Sequence, residues 1–482
     1  MWKTKWHCWP SACDGLSGRR PRGHPRAYNG SVGLSSSATD PNRKKLEELA
    51  RLGWYHSMEL PDGRVIPGFQ SLDVLRNRLA QFPLPADLHG RRVLDIGAWD
   101  GWFTFELERR GARVMAVDST AIERFRIARD LLGSQAEYRI DDVCRLSPAQ
   151  IGHFDIVLFL GVLYHLKHPL LALEKVCELA TDMVCVESFV TDDGGDPAAK
   201  PLMEFYETTE LCGQFDNWVG PNTACLLAMC RSAGFARVQL ESVLDHRAHV
   251  TCFRHWPEIE KLQEPAPYLT SVENAATRDR AFSSANDDYV AIWFNSPRAD
   301  LTPADMFPRI GPYGSHPVSL RNIGGDCWQV NCKLPPGLAP GRHAVTLRTT
   351  CSPWGNSVRI GVDLSAEQRR QRPAPTAASN IRIAIVTDGK TWQRNLVYIG
   401  VHTGVDSCIS LWVSGLPEEA AMDTIAVWLD GDDLPAVFLS KPDAQGLRQI
   451  NAMLPSGAQP GDYAVAVAFR DAVSDAVPVK LV

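Results

Sequence analysis

Strand-like and helix-like patterns of hydrophobic residues alternate along residues 90–190. Short apolar runs that end in glycine, serine or aspartate alternate with segments whose apolar residues recur at helical spacing. The runs with strand character are "RVLDIGA", "RVMAVDS", "AEYRIDDV", "FDIVLFL" and "DMVCVESF". The helical segments are "FTFELERRG", "AIERFRIARDLLG" and "PLLALEKVCELA". This order predicts an α/β, Rossmann-like domain with a doubly wound parallel sheet.

The same domain is expected to extend on both sides of this region. A helix is predicted to begin after Asp40, with Pro41 in its first turn. After residue 190 come a helix at "NTACLLAMCRSAG" and the strands "ARVQLESV", "AHVTCFRHW" and "DYVAIWF". We expect an antiparallel pair to close the sheet, which gives a first domain at residues 41–296.

Residues 297–482 have a different pattern, in which Pro and Gly turns separate short alternating runs. "WQVNCKLPPGLAPGRHAVTLR" at 328–348 aligns with "RQINAMLPSGAQPGDYAVAVA" at 448–468 without gaps. Two copies of an all-β, immunoglobulin-like sandwich are therefore predicted. Their predicted bounds are 297–366 and 380–482, with a linker at 367–379. Trp354, Trp392 and Trp428 are candidates for stacking on sugar rings, or for core packing.

Composition narrows the class of protein. Residues 1–40 are rich in Gly, Ser and Arg without periodicity, which predicts a disordered extension. Residues 51–300 hold 25 Lys and Arg against 36 Asp and Glu, so the region expected to carry the chemistry is acidic. The 13 cysteines show no zinc spacing, and no metal site is predicted. Without an apolar run of about 18 residues, a membrane span is not expected. A cytoplasmic location is predicted.

The turn "GAWDGWF" after the first strand suggests which ligand the domain holds. Gly97 and Gly101 permit a tight turn beneath a ligand. Trp99 stands where a dinucleotide-binding loop needs a glycine, and Asp95 would repel a pyrophosphate. A cationic ligand without phosphate, S-adenosylmethionine, removes both objections. Asp95 is then expected to help hold its amino group.

Two further carboxylates occur at the ends of the next strands. Asp118 ends the second strand, where a carboxylate can accept both ribose hydroxyls. Asp142, with Asp141 as the alternative, follows the third strand and is expected to accept from the adenine amino group. A structural use, such as helix capping, is the alternative for each carboxylate.

The segments "VLDIGAWDGWFTFELERRGARVMAVD", "FDIVLFLGVLYHLKHPLLALE" and "NWVGPNTACLLAMCRSAGF" together resemble class I methyltransferases. More narrowly, they are similar to the branch that includes the tRNA wobble-uridine 5-oxyacetic acid methyltransferases. The resemblance spans residues 45–296. It implies S-adenosylmethionine as the cofactor, bound in part by Gly161 of the "GVLYH" loop.

The resemblance also implies roles for individual residues. Tyr164 is expected to reach the carboxylate side of the cofactor, and the adjacent His165 is a candidate base or a second-layer residue that bonds the backbone. A substrate loop is expected at Trp218, Pro221 and Asn222, which otherwise only close over the site. The wobble-uridine enzymes that use carboxylated S-adenosylmethionine have basic residues upstream of the first motif. Here that segment contains Arg64, Arg76 and Arg78 but no lysine.

Several acceptors remain open. A small molecule or a glycan is slightly favoured by the acidic catalytic region and by the sandwiches. The alternative is a tRNA, for which "RKK" at 43–45 and "RRQR" at 369–372 would supply cations. A third hypothesis is a non-catalytic protein that binds an adenosyl ligand and uses its sandwiches for adhesion. The oligomeric state is not predicted.

Overall fold

The computed structural model describes residues 47–370, 379–399, 407–422, 424–455, 458–469 and 472–482. The predicted disordered extension, the helix start at Asp40 and most of the predicted linker lie outside these residues. Contacts divide the chain into two compact units. The first ends at Phe253, and the second contains residues 254–482 together with the short segment Gly234–Arg237.

A single sheet of seven strands organises the first unit, within the continuously described residues 47–370. Its strands are β1 (Arg92–Ile96), β2 (Arg113–Asp118), β3 (Glu137–Ile140), β4 (Phe154–Leu160), β5 (Ala180–Phe189), β6 (Arg237–Leu244) and β7 (Arg247–Phe253). The spatial order is β6-β7-β5-β4-β1-β2-β3. Strands β1 to β5 are parallel, and β7 runs antiparallel to β5. This confirms the predicted doubly wound sheet with an antiparallel end.

The helices of this unit follow the predicted positions closely. They are α1 (Leu72–Leu79), α2 (Trp102–Arg109), α3 (Glu123–Leu132), α4 (Pro148–Ile151), α5 (Pro169–Leu179) and α6 (Thr223–Ser232). Apolar residues of α1, α2 and α3 join β1 and β2 in one buried cluster. Because the parallel strands are covered by helices, β1 and β4 are apolar along almost their whole length.

Short strands lie outside the main sheet. Four of them, in the segment before α1, form two small pairs at Trp54–His56 with Gly68–Gln70, and at Met58–Glu59 with Val65–Ile66. Two more form a ribbon beyond β5, in which Met203–Phe205 pairs with Val219–Pro221.

The second unit contains the two predicted repeats, each built from two sheets. In the first repeat one sheet has the order Tyr268–Asn274, Tyr289–Asn295, Cys327–Lys333 and Pro317–Gly324; the other has Ala281–Phe282, Val358–Val362, Gly341–Thr349, Met306–Ile310 and Tyr313–Gly314. A short helix, α7 (Ala366–Arg370), follows the first repeat. The second repeat has the equivalent order Arg382–Asp388, Cys408–Ser414, Arg448–Met453 and Ala436–Leu439, and Leu396–Val397, Val477–Leu481, Gly461–Phe469, Ile425–Leu429 and Asp432–Leu434. The short strand Ala472–Val473 also pairs with Gly461–Phe469.

Each repeat buries one apolar cluster between its two sheets, as a sandwich does. The first strand of the second sheet pairs parallel to its neighbour in both repeats. This shared detail supports a duplication that includes whole sandwiches. An immunoglobulin-like topology stays a prediction.

The first repeat begins earlier than the expected boundary at residue 296. Tyr289–Asn295 pairs antiparallel with Cys327–Lys333, in the first sandwich rather than in the α/β sheet. The expectation was wrong because a half-buried alternating strand has the same sequence pattern in either kind of sheet. The first repeat therefore spans Tyr268 to Val362, and residues 254–267 precede it.

The three tryptophans considered for sugar stacking have different environments. Trp428 is 5% exposed and belongs to a buried cluster, so its expected surface role is wrong. Trp354 is partly buried, with the guanidinium groups of Arg309 and Arg348 at 4.2 and 4.5 Å from its ring. Trp392 remains 54% exposed.

Among the described residues, no helix combines the length and the apolar character that crossing a bilayer requires.

Candidate functional site

The predicted glycine loop joins β1 to α2 at the carboxyl edge of the sheet. Gly97 has φ +76° and Gly101 has φ +90°, a backbone region that L side chains rarely adopt. A Cβ atom on Gly97 would clash with Val162, in the loop after β4. A Cβ atom on Gly101 would lie 2.6 Å from Phe105 and 2.7 Å from Phe125. The loop therefore approaches its neighbours closely at both glycines.

Trp99 occupies the centre of this loop in a left-handed conformation, with φ +56°. Such a conformation is an outlier for a bulky residue and is found most often at functional sites. Its backbone N–H donates to Oδ1 of Asp118 at 3.3 Å. The Arg124 guanidinium lies 5.7 Å from the ring centroid. The conformation of Trp99 thus joins the loop to the end of β2.

Asp118 has the environment expected of a ligand-binding carboxylate. The residue is 6% exposed, and the Tyr138 hydroxyl donates to its Oδ2 at 3.2 Å. Burial raises the pKa of Asp118 to about 8, although the Trp99 N–H opposes this. The carboxylate therefore has fewer donors than its burial requires. A ribose diol supplies two hydroxyl donors, so this residue fits the predicted adenosyl cofactor.

The other two predicted carboxylates differ from Asp118. Asp95 is 2% exposed and accepts a hydrogen bond from the Thr104 hydroxyl at 2.6 Å, while burial raises its pKa to about 6. Asp142 is exposed and accepts from the backbone N–H of Cys144 at 2.9 Å. The alternative, Asp141, pairs with Arg139. Of these two neighbours Asp142 is thus the one whose carboxylate forms no ion pair with Arg139. Its contact with adenine stays a prediction.

Asp100 belongs to the same loop and was not predicted from the sequence. It is fully buried and accepts from the backbone N–H groups of Tyr55 at 2.5 Å and His56 at 3.1 Å. Arg124 donates to its other oxygen at 2.8 Å. This carboxylate therefore ties the segment before α1 to the glycine loop. The sequence signal is an Asp between two apolar-flanked turn residues, which does not reveal its distant partners.

Gly161 and Tyr164 lie in the loop after β4. Gly161 has φ +73°, and a Cβ atom there would lie 3.5 Å from the Tyr164 hydroxyl. Tyr164 is 4% exposed and receives a hydrogen bond from Nη1 of Arg247 at 2.8 Å. The predicted pair is thus brought together, with its tyrosine oriented by an arginine from β7.

A buried ion cluster of Arg78, Glu187 and Arg247 adjoins Tyr164. Glu187, at the end of β5, is 1% exposed. Its Oε2 accepts from Arg78, and its Oε1 accepts from Arg247 at 3.0 Å. Burial opposes ionisation of Glu187, but the two guanidinium groups lower its pKa to about 2. Gln70 connects Arg78 to the hydroxyl of Tyr55.

Of this cluster, the sequence analysis named only Arg78. A signal was present, because Glu187 interrupts the apolar strand "MVCVESFV" and a charge buried there requires a partner. The partners themselves could not be identified, since Arg78 is 109 residues away from Glu187 and Arg247 is 60 residues away.

His165 lies beside Tyr164 with its ring centroid 4.3 Å from the tyrosine ring. Its Nδ1 is 3.1 Å from the backbone oxygen of Asp216. Burial lowers the pKa of His165, and the Asp216 carboxylate offsets this only in part. A carbonyl oxygen only accepts, so Nδ1 of the neutral ring donates and Nε2 keeps its lone pair. The side chain is 30% exposed, which leaves this nitrogen able to meet an acceptor molecule.

The predicted substrate loop divides into two parts. The Trp218 backbone N–H donates to the Tyr164 carbonyl at 2.8 Å, and Nζ of Lys167 lies 4.2 Å from the Trp218 ring centroid. Asn222 instead caps α6 through Cys225 and bonds the backbone at Leu202 and Lys200. Pro221 pairs with Met203 in the ribbon. Trp218 therefore adjoins the candidate site, whereas Asn222 has a structural use.

Within the described residues, no three His, Cys, Asp or Glu side chains are placed to hold a metal ion.

Comparisons with known proteins agree with this geometry. Residues 69–236 match the family model of a methyltransferase domain. Curated relatives include a tRNA U34 carboxymethyltransferase of Aeromonas salmonicida, 26% identical over 48% of this chain and 71% of that protein. A ubiquinone biosynthesis O-methyltransferase of Nitrosococcus oceani is 31% identical over 27% of this chain and 53% of that protein. The matched regions thus cover between about half and seven tenths of these relatives' lengths.

Solved structures also resemble the first unit. One is the Burkholderia thailandensis 1,6-didemethyltoxoflavin-N1-methyltransferase with bound S-adenosylhomocysteine, at 18% identity and a TM-score of 0.29. The alignment covers 48% of this chain and 99% of that one. With the family match and the order of the sheet, the prediction of an S-adenosylmethionine-dependent methyltransferase domain of class I fold is confirmed.

Proposed function

We propose that the methyltransferase domain transfers the methyl group of S-adenosylmethionine to a small molecule or glycan of low charge. The observation that carries this proposal is the surface of residues 196–222, here called the rim, which meets the Tyr164–His165 loop. The rim combines exposed apolar side chains with an excess of carboxylates.

The apolar part of the rim is unusually exposed. Leu202, Met203, Phe205 and Phe215 are 57, 47, 69 and 64% exposed. Phe205 lies 6.3 Å from Trp218 between ring centroids, and Trp218 bonds the backbone of Tyr164. Exposed apolar groups clustered beside a candidate site are typical of a surface that receives a ligand.

The charged part of the rim disfavours a polyanion. Residues 196–222 contain five carboxylates, at Asp196, Glu204, Glu207, Glu210 and Asp216, against the single Lys200. Nucleic acids bind chiefly through Lys and Arg contacts to phosphates. A surface with a net charge of −4 therefore supports an acceptor without phosphate groups.

The cofactor supplies an activated methyl group on a sulfonium. Gly97 and Gly101 would let the backbone turn closely beneath it, and Asp118 would accept its ribose hydroxyls. Tyr164, held by Arg247, would face its carboxylate side. The main contribution of these residues is to fix geometry and exclude water, because an activated methyl group needs alignment more than acid–base assistance.

His165 has a role only when the acceptor attacks through a hydroxyl. Its Nε2 would then take the hydroxyl proton while the Asp216 carbonyl holds Nδ1–H. A nitrogen or sulfur acceptor would not require this step.

A tRNA acceptor is the second candidate, because relatives at 26% identity are named tRNA U34 carboxymethyltransferases. In that case the buried ion cluster, with two guanidinium groups for one carboxylate, would be expected to favour carboxylated S-adenosylmethionine. The two candidates therefore differ in both the cofactor and the acceptor.

The first test is calorimetry on the full chain. S-adenosylmethionine, S-adenosylhomocysteine and carboxylated S-adenosylmethionine are titrated into the wild type and the Asp118→Ala variant. We expect the uncarboxylated cofactor to bind and the variant to lose this binding. Absence of binding to any adenosyl ligand by the folded chain would contradict the proposal and favour the non-catalytic alternative.

The second test identifies the acceptor class. Protein is incubated with S-adenosylmethionine labelled in its methyl group and with either total tRNA or a low-mass cell extract. We expect label in the low-mass fraction. Label in tRNA alone would establish the second candidate.

A further inference from the structure

The turn that follows the first strand has the same construction in both sandwich repeats. The side chains of Asn274 and Asp388 each accept backbone N–H groups two and three residues further on. The fourth residue after each is Arg278 and Trp392. Both adopt a left-handed φ, +65° and +61°, and both donate their N–H to the carbonyl of the first turn residue. Arg278 and Trp392 are thus equivalent positions.

Both residues lie against the same tryptophan of their repeats. The Arg278 guanidinium is 5.5 Å from the ring centroid of Trp293. The rings of Trp392 and Trp412 have centroids 5.5 Å apart and are tilted by 50°. Trp293 and Trp412 are equivalent, because they pair with Gln329 and Gln449 in the same register.

The amides beside these tryptophans are repeated as well. Gln329 donates to the Asn331 side chain at 3.1 Å, and Gln449 donates to the Asn451 side chain at 2.9 Å. These residues face outward, since the intervening position of each strand is fully buried in the core. Each repeat therefore keeps a Trp–Gln–Asn set on the outer face of its four-stranded sheet, whereas the turn residue has changed.

The second repeat presents this set without a covering cation. Trp392 replaces Arg278 and is 54% exposed. The outward neighbours of Trp412 on adjacent positions include Ile385, Thr387 and Ser410, which carry no charge. Phe438, opposite Asn451, is 44% exposed. The surface thus joins two tryptophan rings to a row of uncharged hydrogen-bonding groups.

We propose that this outer face, built on Trp392, Trp412, Gln449 and Asn451, binds a neutral sugar ring. A pyranose has a C–H face that an aromatic ring can cover, and equatorial hydroxyls that both donate and accept. Side-chain amides also donate and accept, so they match hydroxyls at the ring edge. The absence of charge among the named groups fits a neutral saccharide and offers no contact for phosphates. This proposal does not depend on methyl transfer.

The first repeat provides the internal comparison. There the guanidinium of Arg278 covers Trp293, so a neutral ring would have to displace a cation from the aromatic face. Trp392→Arg therefore installs, at an equivalent turn position, a residue that the fold already accommodates.

The test is electrophoresis of the full chain through gels that contain soluble β-glucan, mannan, xylan or galactan, with a gel without polysaccharide as reference. We expect at least one neutral polysaccharide to retard the wild type. Trp392→Arg and Gln449→Ala should weaken this affinity by about tenfold or more. Phe69→Ala, which removes an aromatic side chain of similar exposure from the first unit, should leave it unchanged.

Three results would overturn the proposal: no retardation in any neutral gel, equal retardation of wild type and Trp392→Arg, or retardation only by dextran sulfate. Thermal melting of each variant, followed by circular dichroism, separates loss of binding from loss of fold. Quenching of tryptophan fluorescence by the bound oligosaccharide, reduced in Trp392→Arg, gives a second readout that needs no gel.

Discussion

The backbone N–H of Trp99 donates to the carboxylate of Asp118 at 3.3 Å, across the gap between the first two strands of the sheet. A tryptophan at φ +56° thus replaces the glycine of a phosphate-binding loop and turns its amide toward an acidic side chain. A loop of this kind binds a diol beside a carboxylate rather than a pyrophosphate beside bare amides.

Asp118 should make cofactor binding depend on pH. Its pKa of about 8 means that the ligand-free carboxyl is mainly protonated at neutral pH, whereas acceptance of two ribose hydroxyls favours the carboxylate. Binding should therefore release a proton, and the Kd should rise by up to about tenfold for each pH unit below 8. Calorimetry in two buffers of different ionisation enthalpy measures this release.

The Asp118→Asn variant separates this effect from titration of the cofactor's own amino group, because only the latter remains in the variant. Asp130→Asn, an exposed change in α3, should behave as the wild type. An identical pH dependence in wild type and Asp118→Asn would show that the carboxyl is not linked to binding.

Gly97 should be far less tolerant of a side chain than another glycine of similar conformation. Gly97 and Gly133 have φ +76° and +64°, but only Gly97 would place its Cβ atom against a neighbour. Gly133→Ala should cost about 1–2 kcal/mol of unfolding free energy from backbone strain. Gly97→Ala should cost about 1–3 kcal/mol more from overpacking. Urea unfolding measures both, and Val162→Ala should recover part of the excess. Equal costs would contradict the close approach.

The buried ion cluster should contribute to stability through the balance of its charges. Glu187→Gln leaves Arg78 and Arg247 without a carboxylate, and we expect a loss of about 3–5 kcal/mol by denaturant unfolding. Glu59→Gln removes the partner of Arg76 in a half-exposed pair and should change little.

The same cluster predicts acid sensitivity. The pKa of Glu187 is lowered to about 2, so its ionised form stabilises the folded protein above the ordinary glutamate range. This contribution should be lost as the pH falls from about 4.5 toward 2. Unfolding curves of Glu187→Gln should be flatter than wild type over that interval, and parallel curves would contradict the assignment.

His165 should matter only for a hydroxyl acceptor. Once label transfer has identified the acceptor, His165→Asn should reduce kcat by about 10²–10⁴ if His165 is the base. His168→Asn, three residues away and exposed, is the control. The wild-type rate should rise with pH through a lowered histidine pKa. A loss below tenfold with an oxygen acceptor would limit His165 to positioning the backbone at Asp216.

The rim should affect the acceptor and not the cofactor. Phe205→Ser and Phe215→Ser should raise the KM for the labelled low-mass acceptor while leaving the Kd for S-adenosylmethionine unchanged. Leu244→Ser, at the 51% exposed end of β6, is the matched loss of an exposed apolar group. An unchanged KM in both phenylalanine variants would remove the rim from the acceptor site.

The local parts of the site could be predicted, whereas its long-range parts could not. The strand-turn-helix around Gly97 and the carboxylate at Asp118 follow from spacing within one βαβ unit, since consecutive parallel strands end at the same edge. The contacts of Asp100 with Tyr55 and of Glu187 with Arg78 join segments 45 and 109 residues apart. Neither partner has a pattern that selects it among the arginines and turn residues available.

The domain boundary illustrates the same limit. "DYVAIWF" was predicted correctly as a strand, but its neighbour was not, because pairing depends on sequence that follows it by nearly forty residues. The internal repeat did predict the register of the later strands, and the full repeat emerges once a change of spacing in the first loops is allowed.

Strand β7 determines where the first unit can be cut. It enters the sheet between β6 and β5, so the last strand of the chain segment is not the outermost strand of the sheet. A fragment that stops at residue 236, where the family match ends, would expose the edge of β5 and lose Arg247 from Glu187 and Tyr164. Evolutionary recombination at that point would separate a domain from part of its own interior. Exchange of whole modules should instead preserve the hairpin through Phe253, with the sandwiches joined after it.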